Sequence, residues 1–258
     1  MPKWTQRELD ILYEQYPYVP TSYLEPLLNR NGKAICAMAS KLGIKRKEYN
    51  KKYINHFYFD EWSSNVAWIL GFWAADGCAN TDKTRKQIIF IQSEREILSK
   101  IKSEVQGQTK ITSQENEMGK WYRFGFVSRT IYSRIQSIFD CPIEHKSNTL
   151  RWPANLPSKY ARDFCRGVID GDGTITWCSG VPTISCVSGS RHFLEGLSRT
   201  VKQHTGLKRR VFEPTSGPFM ISYGGRKSVP ELAKWLYYKE DILALGRKKK
   251  RAFKMYGG

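Results

Sequence analysis

The sequence predicts an α+β protein with two pseudo-symmetric halves, each running α-β-β-α-β-β-α around its own antiparallel sheet, behind a small unit of three short helices. Three observations carry that prediction. The ten residues Trp68–Gly77 (WILGFWAADG) recur as Phe164–Gly173 (FCRGVIDGDG). The same alternation of helical and strand periodicity follows each copy. The first 44 residues carry helix-start and turn signals but no strand pattern.

In the N-terminal unit, Thr5-Gln6-Arg7-Glu8 is a capping box with Trp4 placed as its hydrophobic staple. Leu9, Leu12, Tyr13 and Tyr16 then share a face. Pro17 and Pro20 interrupt the chain, and Thr21 is placed to cap a second helix through Leu24, Leu27 and Leu28. The Asn31-Gly32 turn leads to a third helix, Lys33 to Leu42, ended by Gly43. The pattern Trp4…Leu12…Leu27-Leu28…Ala34…Ala37…Leu42-Gly43 resembles a Myb/SANT-like or sigma-factor-like helix-turn-helix. That resemblance implies a third helix in the major groove, with Lys33, Ala37, Ser40 and Lys41 as its readers. Lys45-Arg46-Lys47 and Lys51-Lys52 read as a basic connector that tracks phosphates. The expected boundaries are 1–47 for the helical module and 48–62 for the linker.

The remainder divides into 63–157 and 158–258. Asp172 follows Asp76 by 96 positions, and Arg95-Glu-Ile-Leu98 is answered by Arg191-His-Phe-Leu194 at the same offset. Tyr122–Phe126 is answered by Phe219–Tyr223, and Ile135…Phe139 by Leu232…Leu236. Each half therefore predicts a motif helix, then a hairpin ending in a hydrophobic strand (Ile88–Ile91; Thr183–Val187). A helix follows (Arg95–Val105; Arg191–His204), then a second hairpin (Lys110–Val127; Lys208–Tyr223) and a final helix (Ile131–Phe139; Val229–Tyr238). A pseudo-two-fold axis between the halves follows from the repeat.

The motif helices carry small residues four apart, Gly71 with Ala75 and Gly167 with Gly171, which lets two backbones approach closely. Each helix ends in Asp-Gly, with Gly77 and Gly173 suited to a left-handed terminal position. A carboxylate at a helix C-terminus faces the negative end of the dipole, and two of them side by side repel. A divalent cation with hard oxygen ligands, Mg²⁺ above all, resolves both costs at Asp76 and Asp172.

Composition agrees with that chemistry. The 42 Lys and Arg residues against 24 Asp and Glu leave a net charge of +18, which favours a polyanionic partner: nucleic acid, or an anionic membrane surface. No apolar run reaches the roughly 18 residues of a spanning helix, and no signal-peptide core opens the chain. The expectation is a protein with no membrane partner, in the cytoplasm (at the nucleoid in a bacterium or phage) or in an organelle. Six cysteines without a CxxC pair read as buried reduced thiols, and His56, His145, His192 and His204 show no metal spacing.

Over residues 63–258 the two motifs resemble those of the LAGLIDADG homing endonucleases in their two-repeat, single-chain form. The second copy, Cys165–Gly173, keeps Asp at its sixth and eighth positions; the first, Ile69–Gly77, keeps Asp76 at the eighth but has Ala74 at the sixth. The resemblance implies metal ligation by Asp76 and Asp172, a saddle of two sheets in the major groove, and staggered cuts with 3′ overhangs. It also implies a catalytic lysine after the last helix of each half. Lys146 fills that place in the first half, and in the second the sequence leaves Lys248 and Lys249 both open.

Groove readers are expected on the hairpins, at Lys86, Lys110, Thr112, Arg123, Thr174, Thr176, Lys208 and Arg210. The implied activity is Mg²⁺-dependent cleavage of both strands of a DNA target by a monomer, for intron homing or from a free-standing gene. The alternatives are a non-catalytic DNA-binding transcription regulator of the same fold, and an intron maturase that takes RNA.

Overall fold

The computed structural model describes residues 3–46, 54–81, 85–117 and 119–256. Lys47, Lys51 and Lys52 of the expected basic connector lie outside the described residues. Three helices come first: α1 (Gln6–Gln15), α2 (Thr21–Leu28) and α3 (Gly32–Lys41). The capping box is formed, with Glu8 N–H donating to Thr5 Oγ1 at 3.3 Å and Thr5 N–H to Glu8 Oε2 at 2.7 Å. Pro20, not Thr21, is the N-cap of α2, and its ring leaves that cap without a side-chain hydrogen bond. Asn31 caps α3 through its side chain, and Gly43 follows at φ 68°, where only glycine is unstrained. Leu12, Val19, Leu24, Leu28, Ile35 and Ala39 make a core separate from that of the rest of the chain.

The first half contains α4 (Ser64–Asp76), β1 (Gly77–Thr81), β2 (Lys86–Gln92), α5 (Arg95–Glu104), β3 (Thr112–Asn116), β4 (Gly119–Val127) and α6 (Arg129–Phe139). Its antiparallel sheet has the order β1-β2-β4-β3. The second half contains α7 (Ala161–Asp172), β5 (Gly173–Cys178), β6 (Val181–Ser188), α8 (Arg191–Thr205), β7 (Phe219–Gly224), α9 (Ser228–Leu236) and α10 (Gly246–Tyr256). Its sheet, β5-β6-β7, is one strand short of the expected four. The hairpin predicted over Lys208–Tyr223 keeps only a single bridge, Phe212 to Met220, opposite β7. Lys208-Arg209-Arg210 holds three exposed cations in a row, a poor strand, and Pro214 and Pro218 flank the turn that follows. The expected linker 48–62 is corrected too. Ile54 and Phe59 are buried in the main core and Arg134 donates to the Phe59 and Asp60 carbonyls, so the chain from residue 54 onward is part of the first half.

α4 and α7 meet at the centre of the molecule. A Cβ on Gly71 would lie 2.2 Å from the Phe164 carbonyl oxygen, and one on Gly167 2.2 Å from that of Trp68. Trp68 and Phe164 are equivalent in the repeat, so the two contacts exchange under a two-fold operation, as the repeat predicts. One turn further on, a Cβ on Gly171 would lie 2.3 Å from that of Ala75. All four small positions read from the sequence thus lie in this contact. Among the described residues, no helix is long and apolar enough to cross a membrane. Because the obstacle at Gly167 is backbone, Gly167→Ala is expected to destabilise the protein by about 3 kcal/mol, read as a lowered denaturant midpoint at unchanged slope.

Candidate active site and nucleic-acid interface

Asp76 and Asp172 are the last residues of α4 and α7, each followed by the first residue of a strand. Gly77 and Gly173 have φ −90° and −85°, not the left-handed value expected from Asp-Gly. Space is what requires glycine there: a Cβ on Gly77 would sit 2.2 Å from Trp73 Cδ1, and one on Gly173 2.5 Å from the Ile169 carbonyl oxygen. The chain therefore turns from helix into sheet within one residue, and both carboxylates stand where helix pair and sheets join.

Burial pushes both carboxyl groups up. Asp172 reaches about 6, with the Asp76 charge as the second cause. Asp76 is raised by burial against the opposing pull of Lys248, the Gln92 amide, Lys146 and Arg247. The contact of Gly171 with Ala75 and the Asp76 backbone brings the two helix tips, and so the two acids, together, as the repeat predicts, and the Asp76 charge is felt at Asp172.

One lysine closes the end of each motif helix. Lys146 Nζ donates to the Ala74 carbonyl at 2.6 Å and stands 5.1 Å over the Trp73 ring. Lys248 Nζ donates to the Ile169, Asp170 and Gly171 carbonyls at 2.9, 2.6 and 2.8 Å. Both ammonium groups sit against the negative ends of the helix dipoles, which favours their charge, while burial lowers Lys146 to about 8 and Lys248 below its ordinary value. Of the two lysines that the sequence leaves open, Lys248 is the one at the site. Lys249 turns away to the Glu240 carbonyl and the Phe253 ring.

Two further groups have no role assigned from the sequence. Gln92, on β2, donates from Nε2 to Asp76 Oδ2 at 2.9 Å, and its Oε1 is fixed by Ser93 N–H at 2.8 Å. The 96-residue offset holds a signal for it, since it pairs Gln92 with Ser188. The other is Asp170, the sixth-position acid of the second motif. It is fully buried and accepts from Trp68 Nε1 across the helix pair (2.8 Å), Tyr237 Oη (2.7 Å) and Leu245 N–H (3.1 Å). Arg166, paired with Asp163 at 2.8 Å, donates to the Leu236 and Leu243 carbonyls. Together these bonds pin the segment leading into α10 and so position Lys248.

The sheets face away from the helices through alternate residues. In the first sheet the registers Asn80–Gln87–Val127 and Ile91–Arg123–Thr112 put these side chains on the outer face. Thr112 and Arg123 are where the sequence expects them. Lys86 is not: it shares the parity of Ile88 and Phe90, lies 4.4 Å over the Tyr132 ring and pairs with Glu144, on the helix side. Lys110 is exposed but precedes β3. In the second sheet Thr174 and Thr176 are exposed on the outer face as predicted, whereas Lys208 and Arg210 are exposed in a loop beside β7. In the N-terminal unit Lys33, Ala37, Ser40, Lys41 and Lys45 are exposed. Arg46 is not free to track phosphates: its guanidinium lies 4.1 Å over the Tyr16 ring and donates to Thr21 Oγ1 at 2.6 Å and to the Val19 carbonyl. All six cysteines are unpaired, but Cys36 and Cys178 are exposed, not buried.

This two-repeat α+β architecture, with paired acids at the helix tips, defines a class. Residues 63–137 match the family model described as a LAGLIDADG-like domain, and the chain carries the LAGLIDADG fold. It is similar to mesophilic variants of the homing endonuclease I-DmoI (13% identity, 76% of this chain and 97% of that one, TM-score 0.52). It is similar to the homing endonuclease I-WcaI bound to its DNA recognition sequence (10% identity, 76% and 90%, TM-score 0.52). The N-terminal LAGLIDADG domain of WhiA also shares the fold (11% identity, 73% and 86%, TM-score 0.50). No curated protein matches the sequence.

Asp172 stands at about 6 in the folded chain against an ordinary 3.8. The folded state therefore holds a proton that the unfolded chain releases, so this group's contribution to stability is present near pH 4 and lost as pH rises through about 6. In chelator, the melting temperature of Asp172→Asn is expected to exceed that of the parent above about pH 6, and the excess to vanish toward about pH 4. A variant less stable than the parent throughout that range would contradict the burial of this carboxylate.

Proposed function

We propose that the chain is a site-specific endonuclease that cuts both strands of a DNA duplex, with Asp76 and Asp172 as acidic ligands of Mg²⁺ and Lys146 and Lys248 as the cationic groups beside them. The observation that carries this reading is the pair of half-buried carboxylates at adjoining helix tips, each with its own buried lysine. Among the described residues no group of three or more His, Cys, Asp or Glu could cage a metal. Two carboxylates alone suit a cation that keeps its waters and takes phosphate oxygens, which is the habit of Mg²⁺. When bound, Mg²⁺ would neutralise phosphate charge and acidify a water.

The side chains have separate tasks. Gln92 holds the Asp76 carboxylate in orientation. Lys146, at about 8, stands close enough to neutrality to hold or release a proton near the attacked phosphate, and Lys248 offsets charge that develops there. The outer faces of the two sheets would lie in the major groove, and a pseudo-two-fold axis would present one acid to each strand, leaving 3′ overhangs. With both halves in one chain, a monomer suffices. The N-terminal unit would add a helix-turn-helix contact through α3. A non-catalytic DNA-binding regulator is the second reading, which the net charge of +18 would serve equally well. Two acids with raised pKa values, unneeded for binding and costly to keep, weigh against it.

Asp76→Asn and Asp172→Asn are each expected to slow Mg²⁺-dependent cleavage of a duplex recovered from a randomised pool by at least about 100-fold, with binding kept. Cleavage that survives the double variant would discard the assignment. Removal of residues 1–47 is expected to weaken binding and to flatten the dependence of log affinity on log salt, by about one unit for each phosphate the truncated chain no longer neutralises. An unchanged slope would make the helical unit a protein-docking module instead.

A further inference from the structure

The two outer sheet faces differ in chemistry as well as in size. On the first, Asn80, Gln87, Gln114 and Asn116 bring four carboxamides to one side, with Arg123 among them and its Nη2 3.4 Å from Gln87 Oε1. On the second there are none. Strands β5, β6 and β7 contain no Asp, Glu, Lys, Arg, His, Asn or Gln at all, in a chain whose net charge is +18.

Cross-strand register sorts the second face into rows. Thr174–Ser185–Ser222 is a row of hydroxyls, as is Thr176–Thr183. Val187–Met220–Phe212 is a row of apolar side chains, 38%, 37% and 59% exposed. Exposed cations flank these strands along the chain. Lys208, Arg209 and Arg210 precede Phe212, Arg226 and Lys227 follow β7, and Arg209 is tied to the Gly224 carbonyl at 3.2 Å. Such a rim suits phosphates and leaves the neutral centre for base edges.

Base edges in the major groove offer these two faces different partners. A carboxamide can bond adenine N6 and N7 together, and a guanidinium can bond guanine O6 and N7. Hydroxyls bond any base without choosing among them, and the only apolar feature of the groove is the thymine methyl.

We infer that the two sheets read chemically different half-sites: the first takes purines through carboxamide and guanidinium groups, and the second takes thymine methyls on the Val187–Met220–Phe212 row. This inference rests on the DNA-cleaving reading above. It adds which half-site depends on the methyl group and which side chains sense it.

The Asp76→Asn, Asp172→Asn double variant, which is expected to bind without cutting, serves to select a duplex from a randomised pool. A hydroxyl-radical probe on exposed Cys178, in a Cys36→Ser background, marks the half-site under the second sheet. Deoxyuridine for thymidine, which removes only the methyl, is expected to lower affinity about fourfold per contacted base in that half and hardly at all in the other. 7-Deazaadenine, which removes N7, is expected to show the reverse, with losses of about tenfold under the first sheet. Val187→Ala together with Met220→Ala should erase the deoxyuridine effect.

Specific binding with no methyl effect under the second sheet, or equal effects in both halves, would overturn this inference and leave the nuclease reading standing. It would also turn the apolar row toward a protein partner. A pool that yields no enriched duplex would overturn both.

Discussion

Backbone meets backbone where α4 crosses α7, and the rest of the structure is arranged around that contact. A side chain at Gly71 or Gly167 would occupy the space of a carbonyl oxygen on the other helix. Close approach is what brings two helix C-termini, and the carboxylates on them, into one small volume. Left alone, that volume would be strongly unfavourable, since the partial negative charges of the helix ends add to the two carboxylates. Lys146 and Lys248 answer it by donating to the terminal carbonyls themselves. The lysines are thus structural and electrostatic at once, because the bonds that hold them also hold their charge next to the acids.

The two halves meet the same constraint by different means. In the second, Lys248 rides on a helix whose approach is pinned by Asp170, Tyr237 and Arg166, all buried. In the first, Ala74 replaces that acid, and Lys146 comes from a short 3-10 turn, Lys146–Asn148. Gln92 orients Asp76, while its repeat counterpart Ser188 is bonded to Ser190 N–H instead. Trp68 joins the two solutions, reaching from α4 to Asp170 on α7. The repeat is therefore symmetric in its backbone contact and asymmetric in the side chains that serve each acid.

How much of this is legible in the sequence follows from which forces have a local signature. Glycine spacing and the duplicated Asp-Gly are local, and they locate the helix contact and both acids. Lys146 is legible only through the family resemblance, which implies a lysine after the last helix of each half. The repeat offset of 96 does not carry it, since Lys248 follows Lys146 by 102 positions. The choice between Lys248 and Lys249 depends on the phase of α10, which the run of five cations conceals. Lys248, Ala252 and Met255 do fall on one buried face, but three apolar-facing positions in so basic a segment give a weak period. Lys86 defeats the sequence reading for a related reason. A lysine in a strand reads as solvent-facing, and only the parity with Ile88 and Phe90 shows that it leans on Tyr132. The packing of Ile54 and Phe59 is a tertiary outcome without a local mark, whereas the missing strand of the second sheet has one in Lys208-Arg209-Arg210, Pro214 and Pro218. Gln92 and Asp170 are visible in the repeat, yet neither is an acid at a helix tip, and only the folded chain shows what each one holds.

A second sheet without charged residues, in a protein of net charge +18, fits a division of labour between rim and centre. A lysine on a sheet face would bind any duplex by charge alone and would gain little from the right sequence. In the proposed complex, cations at the rim would bring the duplex close, and polar or apolar side chains at the centre would be left to distinguish bases. The acids obey a similar logic. Holding Asp172 near 6 in a half-buried site destabilises the charged form at neutral pH, a cost that the proposed cation binding would offset. On the proposed function, the stability given up at the helix tips is what a bound cation would restore.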